Sequence, residues 1–129
     1  MDQPALIRIC AADALADGGA GVRFRVAVGG LATSAFVVRH QGKIFGYLNR
    51  CAHVATELDW LEGAFFDADA EWLMCSTHGA LYDPATGHCI GGACLGHGGL
   101  RALDIVEQDR GVYWRPDAVV LPIEPSPPD

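Results

Sequence analysis

Short stretches in which hydrophobic and polar residues alternate recur along the chain. Residues 22–28 alternate apolar side chains with mostly arginine. Two further pairs of apolar stretches are each joined by a polar turn that contains glycine, a pattern typical of β-hairpins. The paired stretches are Ala35–His40 with Ile44–Leu48, and Leu103–Glu107 with Val112–Trp114. A period of two residues is typical of strands that bury one face, so the chain is predicted to be an all-β domain.

Helix signals are weak. The best is Ala11–Ala16, which predicts no more than a short turn. Trp72–Met74 predicts a short strand in the middle of the chain. The end of the chain is rich in proline, which cannot continue a central strand. The sequence therefore predicts one domain over residues 1–115 and a proline-rich tail over residues 116–129.

Length and composition favour one folded domain with a hydrophobic core. The chain has 129 residues, of which half are hydrophobic. Its formal net charge is −7, and no basic run offsets it. Such a surface repels phosphate backbones, so nucleic acid is not an expected partner. A partner protein with a basic patch is the better electrostatic match.

The sequence also predicts a compartment. The first residues lack the charged and then apolar pattern of a secretory signal. No apolar stretch reaches the roughly 20 residues that a membrane span needs, so no membrane contact is predicted. Five cysteines are an odd number for a disulfide framework. These features together predict a cytoplasmic protein.

Two short segments each place a cysteine beside a histidine. One residue separates Cys51 from His53, two residues separate Cys75 from His78, and Gly79 follows directly. A [2Fe–2S] centre with mixed ligands needs two thiolates on one iron and two imidazoles on the other. Two loops of this composition that face each other would meet that demand, so the four side chains are candidate iron ligands.

This pattern resembles the Rieske family, which shows C-x-H, a spacer and then C-x-x-H-G. Further positions that match the family are Gly79, Tyr82, Asp83, Thr86, Gly87, Gly91 and Gly92. The resemblance implies one [2Fe–2S] cluster per chain, bound through sulfur by Cys51 and Cys75 and through nitrogen by His53 and His78. It also implies an antiparallel β-sandwich of base sheets with a small cluster-binding subdomain inserted at about residues 51–97.

The residues around the expected ligands predict a low potential. High-potential members of the family carry a disulfide between the ligand loops, where this chain has Thr56 and Thr77. They also carry a serine hydroxyl at the position of Ala80, close to Gly79. Tyr82 matches a tyrosine that donates to a cysteine sulfur. Because donors to sulfur stabilise the reduced cluster, and one is missing here, we expect roughly −150 to 0 mV.

The resemblance implies one-electron transfer, as a ferredoxin that accepts electrons from a reductase and passes them to an oxygenase. The alternative is a Rieske subunit of a larger redox enzyme, such as a nitrite reductase. An autonomous oxygenase also needs a mononuclear iron with two histidines and a carboxylate. The remaining histidines, His40, His88 and His97, form no helix-borne pair, so no catalytic residue is predicted. A structural zinc module is a third hypothesis, although zinc spacings usually pair cysteine with cysteine.

Other candidate residues have less specific patterns, and their roles stay open at this point. Cys10 lies on a predicted strand and is expected in the core. Cys89 and Cys94 are interpreted as buried reduced thiols in preference to a redox pair. His88 and His97 flank the third loop, where surface histidines are favoured over proton relays.

Overall fold

The computed structural model describes residues 6–51, 57–59, 61–75, 79–94, 96 and 98–123, excluding the side chain of Ala93. The strands in these ranges are β1 (Ile7–Ala11), β2 (Val22–Val28), β3 (Leu31–His40), β4 (Lys43–Leu48), β5 (Leu73–Met74), β6 (Leu81–Tyr82), β7 (Cys89–Gly91), β8 (Ala102–Gln108), β9 (Gly111–Arg115) and β10 (Val120–Pro122). Two single-turn 3₁₀ helices are η1 (Ala12–Ala14) and η2 (Gly92–Cys94). The prediction of an all-β fold is confirmed. Within the same ranges, no helix has the length and apolar content that crossing a bilayer requires.

Seven strands form an antiparallel sheet in the order β1-β9-β8-β4-β3-β2-β10. The two halves of this sheet meet where Gly46 and Tyr47 of β4 pair with Leu103 and Ala102 of β8. Residues from both halves share one buried cluster: Val26, Ala35, Leu48, Leu103, Trp114 and Val120. The sheet therefore curls over its own core, which is the layered arrangement that a sandwich of base sheets requires.

Three two-residue turns fix the registers of the hairpins. Val28 pairs with Leu31, His40 with Lys43 and Gln108 with Gly111. The residues between them all have positive φ angles: Gly29, Gly30, Gln41, Gly42, Asp109 and Arg110. This left-handed backbone matches the twist of the flanking strands, which is why such turns favour hairpins.

A smaller sheet holds β5, β6 and β7 in that order. Its buried side chains face the larger sheet, and Phe65 from the preceding spacer stacks on Phe36 of β3 with ring centroids 3.9 Å apart. The resulting core joins the spacer, the small sheet and one face of β3 and β4. This core surrounds both cysteines that the sequence analysis selected as ligands.

The chain segment after Pro116 contributes β10, which the sequence analysis does not predict. β10 pairs with β2 at the edge of the large sheet, where a proline such as Pro122 is tolerated. Asp117 starts this strand by accepting hydrogen bonds from the amides of Val119 and Val120, each at 2.8 Å. These hydrogen bonds, with the nearby Arg101 guanidinium, hold the pKa of Asp117 below its usual value.

Candidate metal centre

Cys51 and Cys75 lie just beyond the ends of two strands in different sheets. Cys51 follows β4 by three residues, and Cys75 follows β5 directly. The exposed fractions of the two residues are 3% and 0%, and both belong to the same buried cluster. The fold thus brings together two thiols that are 24 positions apart in the sequence. In both places a strand therefore leads into a predicted ligand loop.

The partners of these cysteines in the predicted ligand set are not part of the described structure. His53 and Thr56 follow Cys51, and Thr77 and His78 follow Cys75, and all four lie outside the described residues. The assignment of His53 and His78 as ligands therefore stays a prediction.

The backbone closes the loop after Cys75 at its base. The Cys75 amide donates to the carbonyl oxygen of Ala80 at 2.9 Å, and the Gly79 amide donates to the carbonyl oxygen of Cys75 at 2.7 Å. Gly79 has a φ of +73°, which a residue with a side chain adopts only with strain. These hydrogen bonds hold Gly79 and Ala80 beside Cys75, and the positive φ angle gives a structural reason for a glycine at position 79.

Tyr82 places a hydroxyl beside the first thiol. Its oxygen lies 3.2 Å from the sulfur of Cys51, and the whole side chain is buried. When Cys51 is a thiolate it carries no proton, so the phenol is then the donor in this contact. Ala80, one residue before β6, is also fully buried and contributes no side-chain donor.

A polar cluster that no sequence pattern predicts closes the base of the first loop. The side-chain oxygen of Asn49 accepts from the Leu58 amide at 2.8 Å, which joins the two ends of the loop. The Asn49 side-chain amide donates to Asp59 at 2.8 Å. The other carboxylate oxygen of Asp59 accepts from the Gly63 amide at 2.9 Å. Asn49 and Asp59 are the buried polar residues of the described core, and both have partners, as burial requires.

Arg23 of β2 supplies the opposite charge to this cluster. Its guanidinium lies 3.6 Å from the Asp59 carboxylate, whose side chain is fully buried, and 2.6 Å from Glu57. A buried carboxylate needs such compensation because removing a charge from water is costly. In the sequence, Asn49 and Asp59 are only polar residues on either side of Cys51. Their positions do not predict that the two side chains are in contact.

Tyr47 supports the turn that follows β6. Its hydroxyl donates to the carbonyl oxygen of Pro84 at 2.7 Å, and the residue is only 1% exposed. Burial raises the pKa of Tyr47 well above its ordinary value, and the negative charge of Asp83 adds to this shift. The phenol thus remains a neutral donor that fixes the end of the small sheet against β4.

Cys89 and Cys94 form a disulfide, so the expectation of two reduced thiols is wrong for this structure. The chain reverses from β7 directly into η2, which brings the two Cα atoms to 6.2 Å. That separation is within the range that a disulfide needs. Cys10, in contrast, is half-buried on β1, and burial raises the pKa of its thiol, which disfavours the reactive thiolate.

The described residues fit a [2Fe–2S] cluster. Thiolate ligands and protection from water are its basic requirements, and Cys51 and Cys75 provide two sulfurs inside one apolar cluster. The Tyr82 hydroxyl adds a hydrogen-bond donor aimed at one of these sulfurs. Apolar surroundings and donors to sulfur are the protein features that tune such a group.

Solved structures with the same fold include ferredoxins. The ferredoxin of carbazole 1,9a-dioxygenase from Nocardioides aromaticivorans IC177 has a TM-score of 0.66 and 24% identity, covering 88% of this chain and 99% of that chain. The ferredoxin of Sphingomonas yanoikuyae B1 has a TM-score of 0.67 and 21% identity, covering 88% of this chain and all of that chain (100%). A chain in a complex of reduced oxygenase and oxidised ferredoxin in carbazole 1,9a-dioxygenase has a TM-score of 0.65 and 20% identity, covering 85% and 92%.

Sequence comparison gives the family. No curated protein matches the chain. A sequence model of the Rieske [2Fe-2S] domain, however, matches residues 5–108. Because this match spans most of the chain and includes both cysteine–histidine segments, the chain belongs to the Rieske [2Fe–2S] domain family.

Proposed function

We propose that the protein is a one-electron carrier whose [2Fe–2S] cluster is held by Cys51 and Cys75 on one iron and by His53 and His78 on the other. The observation that carries this proposal is the burial of both thiols in one apolar cluster with the Tyr82 hydroxyl 3.2 Å from the Cys51 sulfur. When bound, the cluster supplies a site that gains and loses one electron. The chain contributes the ligands and the surroundings that set its potential.

The surrounding residues have separate roles in this proposal. Tyr82 donates a hydrogen bond to the Cys51 sulfur and favours the reduced, more negative state. The short loop closed by Gly79 and Ala80 positions Cys75. The absence of a hydroxyl at Ala80 leaves the potential at the low end of the Rieske range. Thr56 and Thr77 replace the loop cysteines of high-potential members, as the resemblance implies.

We propose further that residues 51–97 are the cluster-binding subdomain of one domain over residues 1–115, followed by a tail over residues 116–129. The small sheet, β5–β7, lies inside the first range and is separate from the seven-stranded sheet. This division supports a base that folds around its own core and an insert that carries the redox site. The edge strand β10 ties the first part of the proposed tail to the base.

The carrier is proposed to work as a ferredoxin that receives electrons from a reductase and delivers them to an oxygenase in the cytoplasm. Support comes from two solved ferredoxins, one of carbazole 1,9a-dioxygenase and one of Sphingomonas yanoikuyae B1, whose chains are matched over 99% and 100% of their length. A net charge of −7 suits transient docking to basic partner surfaces. The alternative, a permanently bound subunit of a larger redox enzyme, predicts a buried interface instead.

Salt dependence separates these two forms of the function. The Debye length falls from about 10 Å at 0.1 M salt to about 3 Å at 1 M. A free carrier should therefore be reduced by its reductase much more slowly at high salt, while its potential hardly changes. A reduction rate that is independent of salt, with a larger chain co-eluting at high salt, would support the subunit and contradict the ferredoxin.

A pair of charge variants locates the docking face. Glu62, just after the first ligand loop, is 81% exposed at its side chain. Asp109 lies in the β8–β9 turn. This turn is at the opposite end of β8 from Ala102, the residue that pairs with Tyr47 of β4. Both Glu62→Gln and Asp109→Asn remove one negative charge. If docking uses the cluster end, only Glu62→Gln slows the reduction at low salt; equal effects would contradict that location.

A further inference from the structure

The disulfide between Cys89 and Cys94 occupies the third loop of the small sheet. The two residues are only 6% and 8% exposed, and they belong to the same buried cluster as Cys51 and Cys75. The bridge joins the first residue of β7 to the last residue of η2, and therefore fixes how the chain turns between these elements. The Gly96 amide donates to the Cys89 sulfur at 3.2 Å, which adds a second restraint on the loop.

One end of the bridge is linked to the first candidate ligand. Cys89 is the direct partner of Tyr82 in the pairing of β7 with β6. The hydroxyl of Tyr82 lies 3.2 Å from the sulfur of Cys51. A shift of β7 would therefore move the residue that donates to this sulfur.

The other end of the bridge is linked to the second candidate ligand. η2 begins at Gly92, whose backbone packs so closely on Gly79 that a Cβ atom there would overlap the Gly79 carbonyl oxygen. Gly79 in turn donates to the Cys75 carbonyl oxygen at 2.7 Å. Cys89 thus reaches Cys51 through Tyr82, and Cys94 reaches Cys75 through Gly92 and Gly79.

We propose that Cys89 and Cys94 form a second redox site, a disulfide/dithiol couple whose state controls how tightly the third loop holds the two ligand loops. The substrate of this site is a dithiol. One thiolate of the dithiol attacks a sulfur of the bridge and forms a mixed disulfide, which its second thiolate resolves. Two electrons and two protons pass to Cys89 and Cys94, and the dithiol becomes a disulfide.

The two oxidation states differ in packing. Bonded sulfurs lie about 2 Å apart, whereas two thiols must separate to ordinary contact distance. In a buried pair this separation moves η2 relative to β7, because closely packed neighbours leave little free space. The reduced state has a place for its new protons: the Gly91 carbonyl oxygen lies 3.1 Å from the Cys94 sulfur and can accept from the thiol. Reduction therefore loosens the contact of Gly92 with Gly79 without leaving Cys94 unpaired.

In the proposed cytoplasmic compartment, the state of this couple would respond to changes in redox conditions. Disulfides in reducing compartments are mostly transient and serve catalysis or redox sensing. Under oxidising conditions the disulfide would form and stabilise the small sheet. A dithiol reductant would break the disulfide and remove this stabilisation. The electron-carrying cluster would then be held more firmly under oxidising conditions.

Thiol trapping tests whether the couple exists. The protein is treated with the thiol oxidant diamide or with reduced dithiothreitol, denatured in acid, labelled with a maleimide and mapped by peptide mass. We expect Cys89 and Cys94 to be unlabelled after oxidation and labelled after reduction, with Cys10 labelled in both states as an internal control. Full labelling of both cysteines after oxidation would overturn the proposal. This readout does not require the cluster.

Cluster release tests the coupling, which rests on the proposed cluster site. An iron chelator is added to the two trapped states, and the visible absorption is followed. We expect the reduced state to lose its colour several-fold faster. A double variant with Cys89→Ser and Cys94→Ser should match the reduced rate with or without the dithiol, whereas Cys10→Ser should behave as the unaltered protein. Equal rates in states proven to differ by labelling would overturn the coupling.

A measurement on the backbone keeps the two proposals distinguishable. Amide hydrogen exchange at Gly79 reports the loop beside Cys75 whether or not iron is bound. Faster exchange after reduction of the bridge supports the coupling even if the protein holds no cluster, in which case only the proposed function fails. Exchange that is unchanged by reduction contradicts the coupling.

Discussion

The hydroxyl of Tyr82 lies 3.2 Å from the sulfur of Cys51, inside a core that water does not reach. The two residues come from different sheets, since Cys51 follows β4 and Tyr82 is in β6. This contact therefore depends on the packing of the small sheet against the large one. It also places a hydrogen-bond donor beside a sulfur that would carry negative charge as a cluster ligand.

Removal of this donor should lower the reduction potential. In Tyr82→Phe the ring stays and the hydrogen bond to sulfur is lost, so the reduced state loses stabilisation. A difference of about 1 kcal/mol between the two states corresponds to a downward shift of about 40 mV for one electron. Protein-film voltammetry measures it. Tyr113→Phe, on β9, removes a phenol hydroxyl far from Cys51 and should leave the potential unchanged; an equal shift in both variants would contradict the assignment.

Addition of a donor should have the opposite effect. Ala80→Ser restores the hydroxyl that high-potential Rieske members carry at this position, and the donor should stabilise the reduced cluster. We expect the potential to rise in the same voltammetry experiment. Because Ala80 is fully buried, the hydroxyl has no solvent to compete for its hydrogen bond. A potential that is unchanged or lower would show that residue 80 does not face the cluster sulfur.

The polar cluster below the first loop should stabilise the fold. Asp59 accepts from Asn49 and from the Gly63 amide. In Asp59→Asn one carboxylate oxygen becomes a donor, so one of these buried groups loses its acceptor. We expect a loss of about 2 kcal/mol in the free energy of unfolding, measured by denaturant titration. Glu62→Gln is the control, since its contact with Arg23 is exposed and should cost less than about 0.5 kcal/mol.

The same denaturant titration can also contradict the role assigned to Asp59. If Asp59→Asn and Glu62→Gln destabilise the protein equally, the buried hydrogen bonds of Asp59 do not support the loop, and the role assigned to this cluster is wrong.

The raised pKa of the buried Tyr47 phenol should make the protein less stable at high pH. Its pKa is raised in the folded protein above the ordinary value of 10.0, so the folded state keeps a proton that the unfolded chain releases. The stabilisation is complete below pH 10.0 and declines as the pH rises through the folded-state pKa. Tyr47→Phe loses the bond to Pro84, about 1 kcal/mol at neutral pH, but escapes this decline. The difference in unfolding free energy between the two proteins should therefore shrink above pH 10.0; a constant difference would contradict the assignment.

Local patterns predicted the base of the fold well. The alternation over Val22–Val28 gave the bounds of β2, and both predicted hairpins are present with their turns at Gln41 and Asp109. These elements follow from nearest neighbours along the chain, which is the information that a pattern contains. β6 and β7 were missed because strands of two or three residues are too short to show a period.

Contacts between residues far apart in the sequence could not be predicted from local patterns. Nothing in the spacing shows that Asn49 meets Asp59, or that a turn into η2 brings Cys89 to Cys94. Both contacts depend on how the chain reverses between elements. The candidate site was the exception, because the cysteine–histidine segments carry a specific chemical pattern. The structure adds the burial of Cys51 and Cys75, while the assignment of His53 and His78 still rests on that pattern.

Cys51 and Cys75 are proposed to share a [2Fe–2S] cluster with His53 and His78. The most direct measurement is iron and acid-labile sulfide analysis of anaerobically purified protein, combined with pulsed electron paramagnetic resonance of its reduced form. We expect iron and sulfide in equal amounts, at the content of one [2Fe–2S] cluster per chain, and coupling of the unpaired electron to histidine nitrogen. Stoichiometric zinc without iron, or a cluster without nitrogen coupling, would contradict this ligand assignment.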